Sequence, residues 1–213
     1  MAPHRSVHAF TARFFPHSSV SLRWAVAAFA LLAALCWASP AWAADSAVFA
    51  SGAGTEADPY LIENASQLAA FRDAVNAGDD YAGEYIALGS DVDLEDAEWT
   101  PIGAGTRKSS GIAEGSTPFA GTFDGAGHVI SGLKIASTQG ADFAIGLFGI
   151  LNGATVKNLT VADAEVTVAQ SELAGILCGM MANDATASGV SVSGSVSGKA
   201  GVGGIAGRMT LSG

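Results

Sequence analysis

The chain has 213 residues, nearly half of them hydrophobic, and a formal charge of −10 that is carried unevenly. Residues 1–43 hold three of the ten basic side chains (Arg5, Arg13 and Arg23) and none of the twenty acidic ones, so beyond Ala43 seven bases face twenty acids, a formal −13. Such a surface repels nucleic acid and anionic lipid and argues against DNA, RNA and membrane-surface partners; it suits cations, basic partners or simple solubility.

The basic opening is followed by an apolar run over residues 25–37, then by Pro40 and the small-x-small triplet Ala41-Trp42-Ala43. That order is the pattern of a secretory signal peptide spanning residues 1–43, cleaved between Ala43 and Ala44. The run has 13 residues, fewer than the roughly 20 that a helix needs to span a bilayer, so no membrane span is expected in the mature chain. A lipoprotein cut at Cys36 is disfavoured because Leu35 is too large for the small residue such a site needs. The expected location is outside the cell, secreted or held at the surface. Removal of Cys36 leaves Cys178 alone, without a partner for a disulfide or a Cys-rich zinc site. In Ile176-Leu177-Cys178-Gly179 it reads as a small buried apolar residue. So few cysteines in an exported chain fit a bacterial style of secretion better than a disulfide scaffold, which makes the glycosylation patterns at Asn64 and Asn158 coincidental.

Two textures follow. Residues 44–118 hold most of the charge and read as a cap region with one helix and short strands. Tyr60-Leu61-Ile62 after Pro59 is a short strand. Asn64 can N-cap a helix with Gln67 at the capping-box position; Leu68, Phe71 and Val75 recur at helical spacing, and Gly78 supplies a left-handed stop. Residues 84–88 and 91–94 alternate polar and apolar side chains, as half-buried strands do. Residues 104–117 are a loop by composition.

Residues 119–213 are poor in charge and repetitive. Residues 154–161 align with 185–192 at an offset of 31, and residues 130–135 align with 156–161 at an offset of 26. Interleaved with these are Gly146-Leu147-Phe148-Gly149, Ile176-Leu177-Cys178-Gly179 and Gly204-Ile205-Ala206-Gly207, whose final glycines are 30 and 28 residues apart. Two motifs at one period signal a solenoid. Short β-branched runs broken by glycine, with no helical period, predict three strands and three turns per unit, one coil of a parallel β-helix. Stacked coils would set Leu133, Leu159 and Val190 in one inward ladder and Ile135, Val161 and Val192 in another, about 4.8 Å apart. The fold expected is mostly β, a right-handed parallel β-helix with an N-terminal α+β cap.

These residues carry a resemblance. The glycine motifs and the run from Phe119 through Asp124, Gly125 and His128 to Ile135 resemble GLUG-motif repeat proteins. Residues 52–62 and Trp99-Thr100-Pro101-Ile102-Gly103 are similar to the segment that precedes such repeats, so the likeness covers residues 51–207. It implies a bacterial surface or secreted protein, adhesin-like, with its repeats in a β-helix; some relatives are immunoglobulin-A-cleaving metallopeptidases with a separate catalytic domain. The middle copy departs from the motif, because Ile176 stands where the opening glycine belongs.

No catalytic constellation is evident. A metallopeptidase needs two histidines one helical turn apart beside a glutamate, and a serine or cysteine triad needs a histidine base; beyond Ala43 only His128 remains. The rival reading from another class is a polysaccharide-acting β-helix enzyme, for which Asp124, His128, Lys134, Lys157, Asp163 and Glu165 are the polar groups to hand. They do not recur as a stacked acidic cluster, and Asp124-Gly125 is more simply a turn. The acidic run over residues 91–98 could attract calcium, yet it lacks an EF-hand loop and reads as a solvated face. The expectation is a non-catalytic module for adhesion, display or spacing, without cofactor or metal, meeting an unknown host or cell-surface protein or glycan. A solenoid stopping at Gly213 would expose the edge of its last coil, so either a longer chain or self-association through that coil is expected.

Overall fold

The computed structural model describes residues 48–109, 111–137, 143–170 and 173–210. The expected signal peptide, its cleavage point at Ala43–Ala44 and Gly213 lie outside the described residues.

Local sequence dictates the first elements. Strand β1 (Tyr60–Ile62) leads into helix α1 (Ala65–Ala77), where the Asn64 side chain accepts from the Gln67 N–H and Gly78 closes the helix at φ 116°. Gln67 reaches back as expected, but one residue further: its Oε1 accepts from the Glu63 N–H at 2.8 Å. Asn64→Ala removes the cap and is expected to cost about 1 kcal/mol of stability, read from a shifted denaturation midpoint. Leu68, Phe71 and Val75 are the buried face.

The rest is almost entirely strand: β2 (Tyr85–Leu88), β3 (Val92–Asp93), β4 (Arg107–Lys108), β5 (Gly111–Ile112), β6 (Thr122–Asp124), β7 (Val129–Ser131), β8 (Lys134–Ser137), β9 (Ala144–Ile145), β10 (Phe148–Asn152), β11 (Thr155–Lys157), β12 (Thr160–Val168), β13 (Leu173–Gly175), β14 (Cys178–Ala182), β15 (Thr186–Ser188), β16 (Ser191–Ser197), β17 (Val202–Gly203) and β18 (Ala206–Met209). Apart from the β4–β5 ribbon, every pairing between named strands is parallel. Four parallel sheets result, ordered β1-β2-β6-β11-β15, β3-β7-β12-β16 (with β8 on the second half of β12), β9-β13-β17 and β10-β14-β18. Each repeat thus contributes to four sheets, where three strands were expected.

Register explains the repeat. Thr155 pairs with Thr186 and Val161 with Val192, the offset of 31 read from sequence. The offset of 26 does not hold: Val161 lies beside Ile130, and Ile135 lies beside Val166. The inward ladder is therefore Val92, Ile130, Val161 and Val192, while Ile135 begins a separate one with Val166 and Val196. In two units the chain bends between the two halves through a left-handed residue, Gly132 at φ 67° and Asp163 at φ 54°. Only the offset of 31 sets those two bends at one level.

The boundary expected at residue 118 does not divide the fold, since β1, β2 and β3 belong to the same sheets as the repeats. Residues 44–213 form one compact unit. Helix α1 lays Phe71 against Phe119 and Phe123, ring centroids 5.6 and 6.1 Å away, and those two rings meet Phe148 at 5.6 and 5.4 Å. Residues 50 and 51 exchange backbone hydrogen bonds with Leu61 and cover the free edge of β1. Residues 104–117, expected as a plain loop, carry the β4–β5 ribbon and form a strap. Its Ile112 packs on Ala144, Ile150, Leu173, Met180 and Ala182, a second apolar cluster apart from the main core.

Candidate functional site

The glycine motif is a packing device. A Cβ on Gly179 would sit 2.2 Å from the Ile145 nitrogen, one on Gly149 would sit 2.4 Å from the Gly103 carbonyl oxygen, and one on Gly207 would sit 2.4 Å from the Ala174 nitrogen. In each case neighbouring backbone occupies the place of a side chain, so only glycine fits. The opening glycine behaves similarly at Gly146, whose Cβ would meet the Gly175 carbonyl at 2.6 Å. In the middle copy the equivalent residue is Gly175, not a missing glycine: it pairs with Gly203, and its Cβ would meet the Cys178 and Ile205 carbonyls. The third copy therefore opens at Gly203. Gly204 has open space around it. One extra residue between Gly175 and Gly179 hid the match. Leu147 and Phe148 are buried, while the corresponding Ile205 is 41% exposed and Ala206 half-buried.

Cys178 lies inside the stack between Phe148 and Ala206, and burial pushes its thiol up to about 12. A thiolate is the reactive form, so native protein is expected to resist thiol-reactive dyes at neutral pH and to react in full once denatured. Rapid labelling of native protein would show that the stack opens there.

Of the polar candidates His128 lies between strands, Asp124 and Lys157 end β6 and β11, Lys134 opens β8, and Asp163 and Glu165 lie within β12. Asp124 Oδ1 accepts from the Ala126 N–H at 2.8 Å and from the Asn158 amide at 3.0 Å, and Oδ2 lies 3.2 Å from Lys157 Nζ. Burial pushes the Asp124 carboxyl up, but those three donors outweigh it and hold it below its usual value. Asp91 Oδ1 accepts from the Val129 N–H at 3.0 Å and lies 3.0 Å from His128 Nδ1; the backbone bond foremost, then the imidazole, lowers its carboxyl. Lys134 is level with Glu165 on one side and Glu98 on the other. Asp163 occupies the left-handed bend. The six polar groups thus divide among separate turns and columns, and Asp124 is fully engaged with neighbours. Among the described residues no three His, Cys, Asp or Glu side chains converge where a metal ion could bind. Asp93 caps a turn by accepting from the Glu95 N–H at 2.9 Å, and Glu95 and Asp96 are left-handed, so the acidic run ends its strand at Asp93.

Outward columns are lined with small polar groups. Thr186 Oγ1 bonds Thr155 Oγ1 at 3.2 Å, Ser197 Oγ bonds Thr167 Oγ1 at 3.3 Å, and the Asn183 amide bonds Asn152 Oδ1 at 2.6 Å. Sequence reasoning missed these rungs; their signal is the recurrence of a hydroxyl or amide at an interval of 30 or 31 residues. A contrasting surface lies along β17 and β18, where Val202, Ile205 and Met209 are 43, 41 and 69% exposed; Ile205 and Met209 line a hollow together with Met181 and Ala187. No helix among the described residues is long and apolar enough to cross a membrane.

No family model matches the chain. A provisionally described Gly-rich membrane protein of Evansella cellulosilytica is 38% identical over 127 residues, which are 59% of this chain and 13% of that protein. Halomucin of Haloquadratum walsbyi is 31% identical over 164 residues, 76% of this chain and 2% of that protein. A crystal structure from Bacteroides ovatus, provisionally described as an immunoglobulin A1 protease, superimposes with a TM-score of 0.53 at 27% identity, covering 78% of this chain and 47% of that one. The chain therefore spans a small part of both sequence relatives and just under half of the solved chain, and its own architecture is mostly β with parallel sheets.

Proposed function

We propose that this chain is an exported, non-catalytic module of a cell surface: a GLUG-type, right-handed parallel β-helix that spaces, displays or adheres through the outward faces of its coils. The observation that carries the reading is the parallel, in-register stacking of successive repeats, with small hydroxyls and amides recurring on the outside. A parallel crossover within one sheet is right-handed in nearly all proteins, which supports the hand. The likeness to a Gly-rich membrane protein and to halomucin supports a surface setting, and the opening 43 residues supply an export signal. Partners are host or cell-surface proteins or glycans. Immobilised protein, residue 44 onward, is expected to retain a subset of an array of glycans and matrix proteins; retention of none would reduce the role to spacing.

The likeness to the provisional immunoglobulin A1 protease favours a second reading, an accessory region of a larger surface peptidase whose catalytic part lies elsewhere. Cleavage of immunoglobulin A by the full polypeptide made by its native cells would favour the second reading, and no cleavage the first. Fold alone assigns no chemistry, and the polysaccharide-acting alternative requires polymer shortening that Asp124→Asn or His128→Ala abolishes.

A further inference from the structure

Between the strap and the stacked strands lies a hollow of about 370 Å³, inside the range of about 300–1,000 Å³ typical of small-molecule sites. Its lining is mixed: the ring of Phe143 and the small residues Ala104, Gly105 and Gly115 stand beside the polar side chains of Asn76, Thr106, Glu114, Ser116 and Thr117. We propose that this hollow binds a neutral sugar ring, one pyranose unit of a glycan. The inference rests on the reading of the chain as an adhesive or display module and names its ligand class.

A pyranose carries hydroxyls around its rim and aliphatic C–H groups on its faces. It asks for several donors and acceptors in a ring and one apolar platform. The exposed Glu114 carboxylate can accept from two adjacent hydroxyls, and bonds to a charged acceptor are the strong ones. The Thr106 hydroxyl can donate or accept. Phe143 is partly buried against the core and is one of the residues that line the hollow. Other side chains fix the frame. Asn76 Oδ1 accepts from the Gly103 and Ala104 N–H groups at 2.9 Å each, and its amide donates to the Pro101 carbonyl at 3.0 Å. Ser116 Oγ accepts from the Thr106 N–H at 3.2 Å, and Thr117 Oγ1 donates to the Ala104 carbonyl at 3.3 Å. The rim is thus tied to helix α1 and to itself before any ligand arrives, which lowers the cost of ordering it on binding. An apolar ligand would cover the Glu114 carboxylate and the Thr106 hydroxyl without offering either a hydrogen bond, and an anionic one would meet Glu114 in a chain already rich in acid.

The test is a titration of the isotopically labelled protein with methyl galactoside and methyl glucoside, followed by amide chemical shifts. Saturable shifts are expected at Thr106, Glu114, Ser116 and Thr117 and beside Phe143. Glu114→Gln and Phe143→Ala should each weaken binding on the order of tenfold while leaving the remaining spectrum in place. No shift up to the solubility of either sugar, shifts scattered over the surface, or equal binding by both variants would overturn the proposal. A protein found on the cell surface without these shifts would lose the sugar site and keep the module reading; one found inside the cell would lose the module reading whatever the titration gave.

Discussion

Replacing Phe71 by alanine is expected to lower the unfolding free energy by about 3–5 kcal/mol. The ring is fully buried on the inner face of α1 and touches Tyr81, Phe119 and Phe123, at centroid distances from 5.1 to 6.1 Å. Its removal leaves a cavity between a helix and the first rungs, neither of which can collapse independently. Most of the other helix contacts would survive, so the substitution isolates the coupling of cap to stack. Equilibrium denaturation measures it through the shift in midpoint at constant slope. A cost below about 1 kcal/mol would mean that α1 is not seated on the rungs as described.

A glycine pair gives the second large effect. Gly179→Ala places a methyl 2.2 Å from the Ile145 nitrogen and 2.5 Å from the Ala144 backbone, with no flexible side chain to give way. Backbone must shift, and overpacking of this kind costs about 1–3 kcal/mol or more. Gly204→Ala, in the same motif by sequence, meets nothing within 4 Å and should leave stability within about 1 kcal/mol of the parent. The contrast separates a motif glycine that packs from one that does not. Equal losses at the two positions would refute the register that sets Gly203, and not Gly204, beside Gly175.

The helix was legible because its determinants are local: a capping side chain, an apolar face at helical spacing and a terminal glycine. The offset of 31 was legible because residues 154–161 and 185–192 share spacing as well as type. The offset of 26 misled because Ile130 to Ile135 contains two strands about a left-handed bend, and matching apolar residues alone ignores the bend at Gly132. Gly175 was hidden by one additional residue before Gly179, a difference the stack absorbs in a turn. The strap was legible as a loop by its glycines and serines, but Ile112 packs on the Ile150 and Met180 cluster through contacts distant in sequence, and Glu114, Thr106 and Phe143 come to line one hollow only after folding. A hollow assembled from such separated residues leaves no periodic trace.

Antibodies raised against residues 44–213 and applied to intact native cells would show whether the proposed module is displayed outside the cell. Labelling of the unpermeabilised surface, or recovery of the antigen from the medium, is expected. Labelling that appears only after permeabilisation, with none in the medium, would contradict display outside the cell.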